Sequence, residues 1–195
     1  MDCGGSTGQK SADAAMEYLY SIGIFRIDGM ILTHPDADHV NGAALLTGRM
    51  PIGETYGIAD TDVLITQRTE IIFADCKITI FPGLTSGTDN EKSLSVLFQP
   101  GKRAILITGD QTVAGENALV AAGLPNLDYL VVGHHGSDTS TGETLLSVTR
   151  PLCAVISVGA NNRYGHPDQT VLDRLAAYGC TVLRTDQNGT IIIRG

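Results

Sequence analysis

Four times along the chain, a short apolar run rich in β-branched residues stops abruptly in a loop of Gly, His and Asp. Gly29-Met-Ile-Leu-Thr33 leads into His34-Pro-Asp-Ala-Asp-His39, and Arg103-Ala-Ile-Leu-Ile-Thr108 leads into Gly109-Asp110. Leu127-Asp-Tyr-Leu-Val-Val132 leads into Gly133-His-His-Gly-Ser137, and Ala154-Val-Ile-Ser-Val158 into Gly159–Pro167. Runs that stay apolar without alternating read as strands buried on both faces, which requires helices over the sheet. Helical patterns do fall between them, at 11–22, 39–47, 112–122, 142–149 and 169–177. Further strands are expected at 62–66, 70–73, 77–81 and 93–99. The end, Thr181–Arg194, reads as a hairpin turning on Asn188-Gly189. Residues 1–195 are thus expected to form a single α/β domain of two sheets flanked by helices.

In such sheets the loops leaving the carboxyl ends of strands gather at one edge, where ligands bind. All five histidines, His34, His39, His134, His135 and His166, lie in those loops. His34, Asp36 and Asp38 alternate along an extended segment, so their side chains can point the same way. His39 follows at a helix start. Two imidazoles and two carboxylates within six residues suit a binuclear divalent-metal site. A competing reading makes the segment an acidic helix cap with Asp38 capping. Asp110 ends a strand and is the natural carboxylate to bridge two metals. His134-His135 offers one or two more nitrogen ligands, with the hydroxyls of Ser137, Thr139 and Ser140 nearby. His166 reads equally as substrate contact, ligand or loop residue. Asn161, Asn162 and Arg163 could donate to an anionic group, for which the guanidinium is well shaped.

Other features exclude function classes. The net charge is −8 and the 13 basic residues are scattered. A chain of this kind lacks the basic face used for sequence-independent duplex binding, although bound divalent ions would reverse the charge of an acidic cleft. Cys3, Cys76, Cys153 and Cys180 are too dispersed for a zinc knuckle and read as core residues. No apolar run approaches the roughly 18–20 residues of a membrane span, and no secretory leader is expected. Gly4–Ser11 imitates a phosphate-binding loop, but Gln9 separates Gly8 from Lys10 and no strand precedes it. No G-x-S-x-G elbow is present and no Cys adjoins a His, so the nucleophile is expected to be water.

Thr33-His-Pro-Asp-Ala-Asp-His39 resembles the metal motif of the metallo-β-lactamase superfamily. Together with Thr108-Gly-Asp110, Gly133-His-His-Gly-Ser137 and Asn161-Asn-Arg-Tyr-Gly-His-Pro167, it is similar to one branch, the C-terminal hydrolase domain of ComEC-type competence proteins. The resemblance runs from about Asp2 to the end. It implies an αββα four-layer sandwich with the metal site along one edge. It implies ligands at His34, Asp36, Asp38, His39, Asp110 and His135, with His134 as a further one. The superfamily's usual motif has His where this chain has Asp36, which hardens the site and favours Mn²⁺ over Zn²⁺ among two divalent ions.

The implied activity is metal-dependent phosphodiester hydrolysis, acting on single-stranded DNA during uptake. Asp38, Asp110 and His166 are expected in catalysis, and Ser137, Asn162 and Arg163 on the substrate. The alternatives are hydrolysis of a small ester or phosphodiester, and an inactive metal-binding interaction domain. In related full-length proteins the domain accompanies a membrane channel on the extracytoplasmic side. The family's opening strand pair is missing ahead of Asp2–Gly5, which is expected to expose a sheet edge to self-association.

Overall fold

The computed structural model describes residues 1–193. By packing it divides into two compact units, Met1–Gln67 and Arg68–Gly195.

The first unit starts with helix α1 (Gly8–Ser21), capped by the Thr7 hydroxyl accepting from the Lys10 N–H. Strand β1 (Ile27–Ile31) follows, then two short helices, α2 (Ala37–Val40) and α3 (Ala43–Thr47), and strands β2 (Ile52–Gly57) and β3 (Val63–Leu64). The three strands form one parallel sheet in the order β1-β2-β3, with Ile27 opposite Ile52 and Ile31 opposite Tyr56. Parallel neighbours need a crossover, and α2 and α3 supply it. Ala12, Met30, Ala43, Leu46 and Met50 pack as the core of this unit.

Two expectations need correction here. The helix expected at 39–47 is broken at Asn41-Gly42. The Asn41 amide is drawn to the Gly5 backbone, and the Gly42 N–H donates to the Cys3 carbonyl. Strand β2 was missed because Ile52-Gly-Glu-Thr-Tyr-Gly57 carries two glycines and a Glu, so pairing rather than composition makes it a strand.

The second unit holds a seven-stranded sheet. Its strands are β4 (Thr69–Phe73), β5 (Cys76–Phe81), β6 (Ser95–Pro100), β7 (Ile105–Ile107), β8 (Tyr129–Val131), β9 (Cys153–Ile156) and β10 (Thr181–Arg184). In space they run β10-β9-β8-β7-β6-β5-β4, antiparallel from β4 to β7 and parallel from β7 to β10. Helices α4 (Val113–Ala121), α5 (Glu143–Thr149), α6 (Gln169–Ala177) and the single turn α7 (Thr185–Asn188) complete it. Leu106, Leu130, Leu145, Leu146, Ile156, Val171 and Leu175 are sealed from solvent in one core. Each such side chain contributes about 1.5–3 kcal/mol by leaving water.

The expected terminal hairpin is replaced among the described residues. β10 pairs in parallel with β9, and α7 follows it at once. The Thr185 hydroxyl donates to the Val158 carbonyl and Asn188 Oδ1 accepts from the Arg184 N–H, so Asn188 closes a helical turn instead of a hairpin. The expected hairpin's last residue, Arg194, lies outside the described residues. All four cysteines are free thiols, with Cys3 and Cys180 buried. Among the described residues no helix is long and apolar enough to cross a membrane.

Candidate functional site

In the first unit the site begins where β1 ends. The Leu32 N–H still donates to the Tyr56 carbonyl at 2.8 Å, so sheet pairing carries the chain up to Thr33 and His34, both buried. Asp2 then organises the loop. Its carboxylate accepts from the Thr33 N–H at 2.8 Å, the Thr33 hydroxyl at 2.9 Å and His39 Nδ1–H at 2.9 Å. Because that hydroxyl donates to Asp2, its lone pairs face His34 Nδ1, 3.0 Å away, and Nδ1 is the donor. Both rings therefore carry their lone pair on Nε2, the arrangement seen when a second partner holds a metal-binding imidazole. Their centroids are 4.1 Å apart. His34 and His39 offer ligand atoms within 4.8 Å of each other, and so do Asp38 and His39.

His34 Nε2 lies 3.5 Å from Asp36 Oδ2. Asp36 occupies the N-cap position of α2, yet its side chain makes no capping bond. The extended segment ends there, and Asp38 sits in the first helical turn. This corrects the expectation of three residues alternating along one extended run, and it removes Asp38 from the role of cap. The glycine-rich segment that imitates a phosphate loop packs on this motif instead. A Cβ on Gly4 would come within 2.3 Å of the Asp38 carbonyl carbon and oxygen, so only glycine permits the approach.

In the second unit β7, β8 and β9 are parallel neighbours, so the loops at their carboxyl ends leave from one edge. Asp110 is buried, with its N–H donating to Ser93 Oγ at 3.1 Å. The Gln111 amide donates to the Ser93 carbonyl, so one serine fixes both residues. After β8, His134 and His135 both take left-handed backbone, with φ of 48° and 54°. Non-glycine residues pay about 1–3 kcal/mol each for such conformations, which persist chiefly at functional sites. His135 Nδ1 donates to the Ser157 carbonyl at 2.8 Å, which again places the lone pair on Nε2. His134 differs. Its Nδ1 meets Thr139 Oγ1 at 3.3 Å, its Nε2 meets Asn90 Nδ2 at 3.2 Å, and Nε2 lies 3.7 Å from Asp110 Oδ2.

His166 stands edge-on to His134, with centroids 5.9 Å apart, and stacks on Tyr164. Burial, reinforced by the neighbouring His134 and His135, holds its pKa below the usual imidazole range. Ser137 is buried with its hydroxyl 2.9 Å from that of Thr139. The Arg163 guanidinium lies over the Tyr164 ring at 4.9 Å. Asn162 donates to the Gly159 and His166 carbonyls and accepts from the Tyr164 and His166 N–H groups. Its amide therefore shapes the loop that carries Arg163 and His166.

The loop between Ser137 and Gly142 is gripped from two helices. Glu116 of α4, 1% exposed, accepts from the Thr141 and Gly142 N–H groups at 2.7 and 2.8 Å. Arg174 of α6 donates to the Ser140 and Thr141 carbonyls at 2.9 and 2.7 Å. Burial pushes the Glu116 carboxyl up, against the opposing pull of the two N–H groups and Arg174. Sequence reasoning missed Asn90, Ser93, Glu116 and Arg174, and gave Asp2 no role. Only Asp2 left a signal, since it opens the Asp-x-Gly-Gly turn.

Imidazoles anchored through Nδ1, accompanied by carboxylates, are the donor set of a divalent-metal site, and the residues present fit such ions. Residues 2–160 match the model of the metallo-beta-lactamase superfamily, and the chain belongs to that superfamily. It is 35% identical to ComE operon protein 3 of Bacillus subtilis (strain 168), over 97% of this chain and 27% of that protein. It is 34% identical to competence protein ComA of Neisseria gonorrhoeae, over 89% of this chain and 26% of that protein. The chain thus spans about a quarter of the length of these curated relatives. Among solved structures, the metallo-beta-lactamase MIM-1 from Novosphingobium pentaromativorans shares the fold, with a TM-score of 0.55 at 11% identity, over 75% of this chain and 73% of that one.

Proposed function

We propose that residues 1–195 act as one metal-dependent phosphodiesterase domain that degrades single-stranded DNA in competence-type uptake. The observation that carries the reading is the common anchoring of His34, His39 and His135, each of which donates Nδ1–H and presents Nε2. The name of one relative, a competence protein, supplies the competence context. The ligand set comprises His34, Asp36, Asp38, His39, Asp110 and His135, and a carboxylate at position 36 favours Mn²⁺ over Zn²⁺ for the two ions. Bound divalent ions lower the pKa of water and stabilise charge developing on a phosphoryl oxygen. Asp38 reads as ligand or proton acceptor, while Ser137, Arg163 and His166 face the substrate. In a longer protein the partner is a membrane channel, and the domain works outside the cytoplasm.

The test is cleavage of labelled single-stranded DNA with Mn²⁺, Mg²⁺, Zn²⁺ or EDTA, with Asp110→Ala and Asp36→Ala as controls. Metal-dependent cleavage abolished in both variants is the expected result. Full activity in either variant removes that residue from the ligand set. Hydrolysis of a small chromogenic phosphodiester without DNA cleavage moves the assignment to a small substrate. Bound metal with no turnover on either leaves an interaction domain.

A further inference from the structure

The adjacent histidines share a strained backbone but not an environment. His135 has the anchoring of a metal ligand, through the backbone carbonyl of Ser157. His134 is held only by side chains, and the nitrogen a metal would take is met by the Asn90 amide at 3.2 Å. The Thr139 hydroxyl, itself 2.9 Å from that of Ser137, sits at the other nitrogen. The Asp110 carboxylate, 3.7 Å from Nε2, favours the proton on that nitrogen, so that the Thr139 hydroxyl donates to Nδ1 and the Asn90 amide, turned about, presents its oxygen to Nε2–H. His134 also stands edge-on to His166.

We infer that His134 is a substrate-facing residue outside the metal-ligand set, with Asn90 and Thr139 as the positioning residues that fix its ring. The inference rests on the phosphodiesterase reading for its substrate, a phosphodiester whose non-bridging or leaving oxygen contacts His134 Nε2. It divides the two histidines that sequence reasoning had grouped together as ligands. Asn90, on the loop between β5 and β6, thereby becomes a determinant of turnover with no part in metal binding.

The experiment compares His134→Asn, His135→Asn, Asn90→Ala and wild type. Asn is chosen at 134 and 135 because it tolerates left-handed backbone. Two readouts are taken: Mn²⁺ bound per chain after equilibrium dialysis, and kcat and KM of the Mn²⁺-loaded enzyme on a chromogenic nitrophenyl phosphodiester. His135→Asn is expected to lose bound Mn²⁺, whereas His134→Asn and Asn90→Ala keep the wild-type stoichiometry. In His134→Asn kcat is expected to fall roughly 10²-fold, the usual loss for one donor to developing charge. Asn90→Ala is expected to fall roughly tenfold through misplacement of the ring, with KM nearly unchanged. Asn90→Gln, which keeps an amide on a longer arm, is expected to recover part of that loss. Loss of Mn²⁺ from His134→Asn overturns the inference, as does wild-type kcat in both His134→Asn and Asn90→Ala. If the wild type binds Mn²⁺ but hydrolyses no phosphodiester, the phosphodiesterase reading fails by itself, and the dialysis result still decides whether His134 is a ligand.

Discussion

The two units of this chain hold their histidines by different means. In Met1–Gln67 neither histidine takes left-handed backbone and the control lies in one remote side chain, since Asp2 reaches Thr33 directly, His39 directly and His34 through the Thr33 hydroxyl. In Arg68–Gly195 the rings are aimed by the backbone itself, with two consecutive left-handed residues and a main-chain acceptor for His135. A side-chain anchor can be removed by one substitution that spares the fold. A backbone anchor cannot, so the second unit protects its geometry with two braces, the buried Glu116 and the half-buried Arg174, that mutation punishes as lost stability.

This contrast can be broken at its strongest point first. Glu116→Ala leaves two buried N–H groups without an acceptor and is expected to cost on the order of 3 kcal/mol, read as a lower urea midpoint. Glu116→Gln, which keeps one acceptor, should lose less. A Glu116→Ala variant as stable as wild type would mean that the loop does not depend on the brace. Asp2→Asn, which tolerates left-handed backbone and keeps an acceptor for the Thr33 N–H, should act the other way, lowering Mn²⁺ affinity roughly 10- to 100-fold in a calorimetric titration while leaving the urea midpoint nearly in place. Unaltered affinity would show that His34 and His39 are oriented without the Asp2 carboxylate.

The smallest effect sharpens the contrast at an exposed position of the second unit. Asp168 caps α6, and hydrogen bonds from the Thr170 N–H and hydroxyl hold its carboxyl below the usual carboxylate range. A depressed folded-state pKa means that this stabilisation is present above the unfolded-state pKa and is lost as pH falls through the folded-state value. The melting difference between wild type and Asp168→Ala should therefore shrink on acidification, and a difference that grows would contradict the capping role.

What the sequence made legible follows from the range of the forces involved. Helix α6 falls at residues 169–177 as expected, because Asp168 is a local cap and the apolar spacing of Val171 and Leu175 is local too. Strands β7, β8 and β9 were readable from continuous apolar runs, and with them the loops that carry Asp110, His134, His135 and His166. The helix break at Asn41-Gly42 was not, since it depends on Gly5 and Cys3 more than thirty residues away. For the same reason Glu116 went unread within the helical run at 112–122. Nothing near it in sequence shows that its partners are Thr141 and Gly142. The pair His134-His135 was legible as chemistry but not as two separate roles, because Asn90 and Ser157 lie on other strands' loops.

The doubly gripped loop also limits how this domain can be re-engineered. A designer who moved Ser137–Gly142 into another member of the superfamily would carry over the hydroxyls and leave behind the acceptor on α4 and the guanidinium on α6. The transplant would present the right residues on an unsupported frame. The smallest portable cassette is therefore the loop with both helices, a stretch from Val113 to Ala177 that includes the strands β8 and β9 between them.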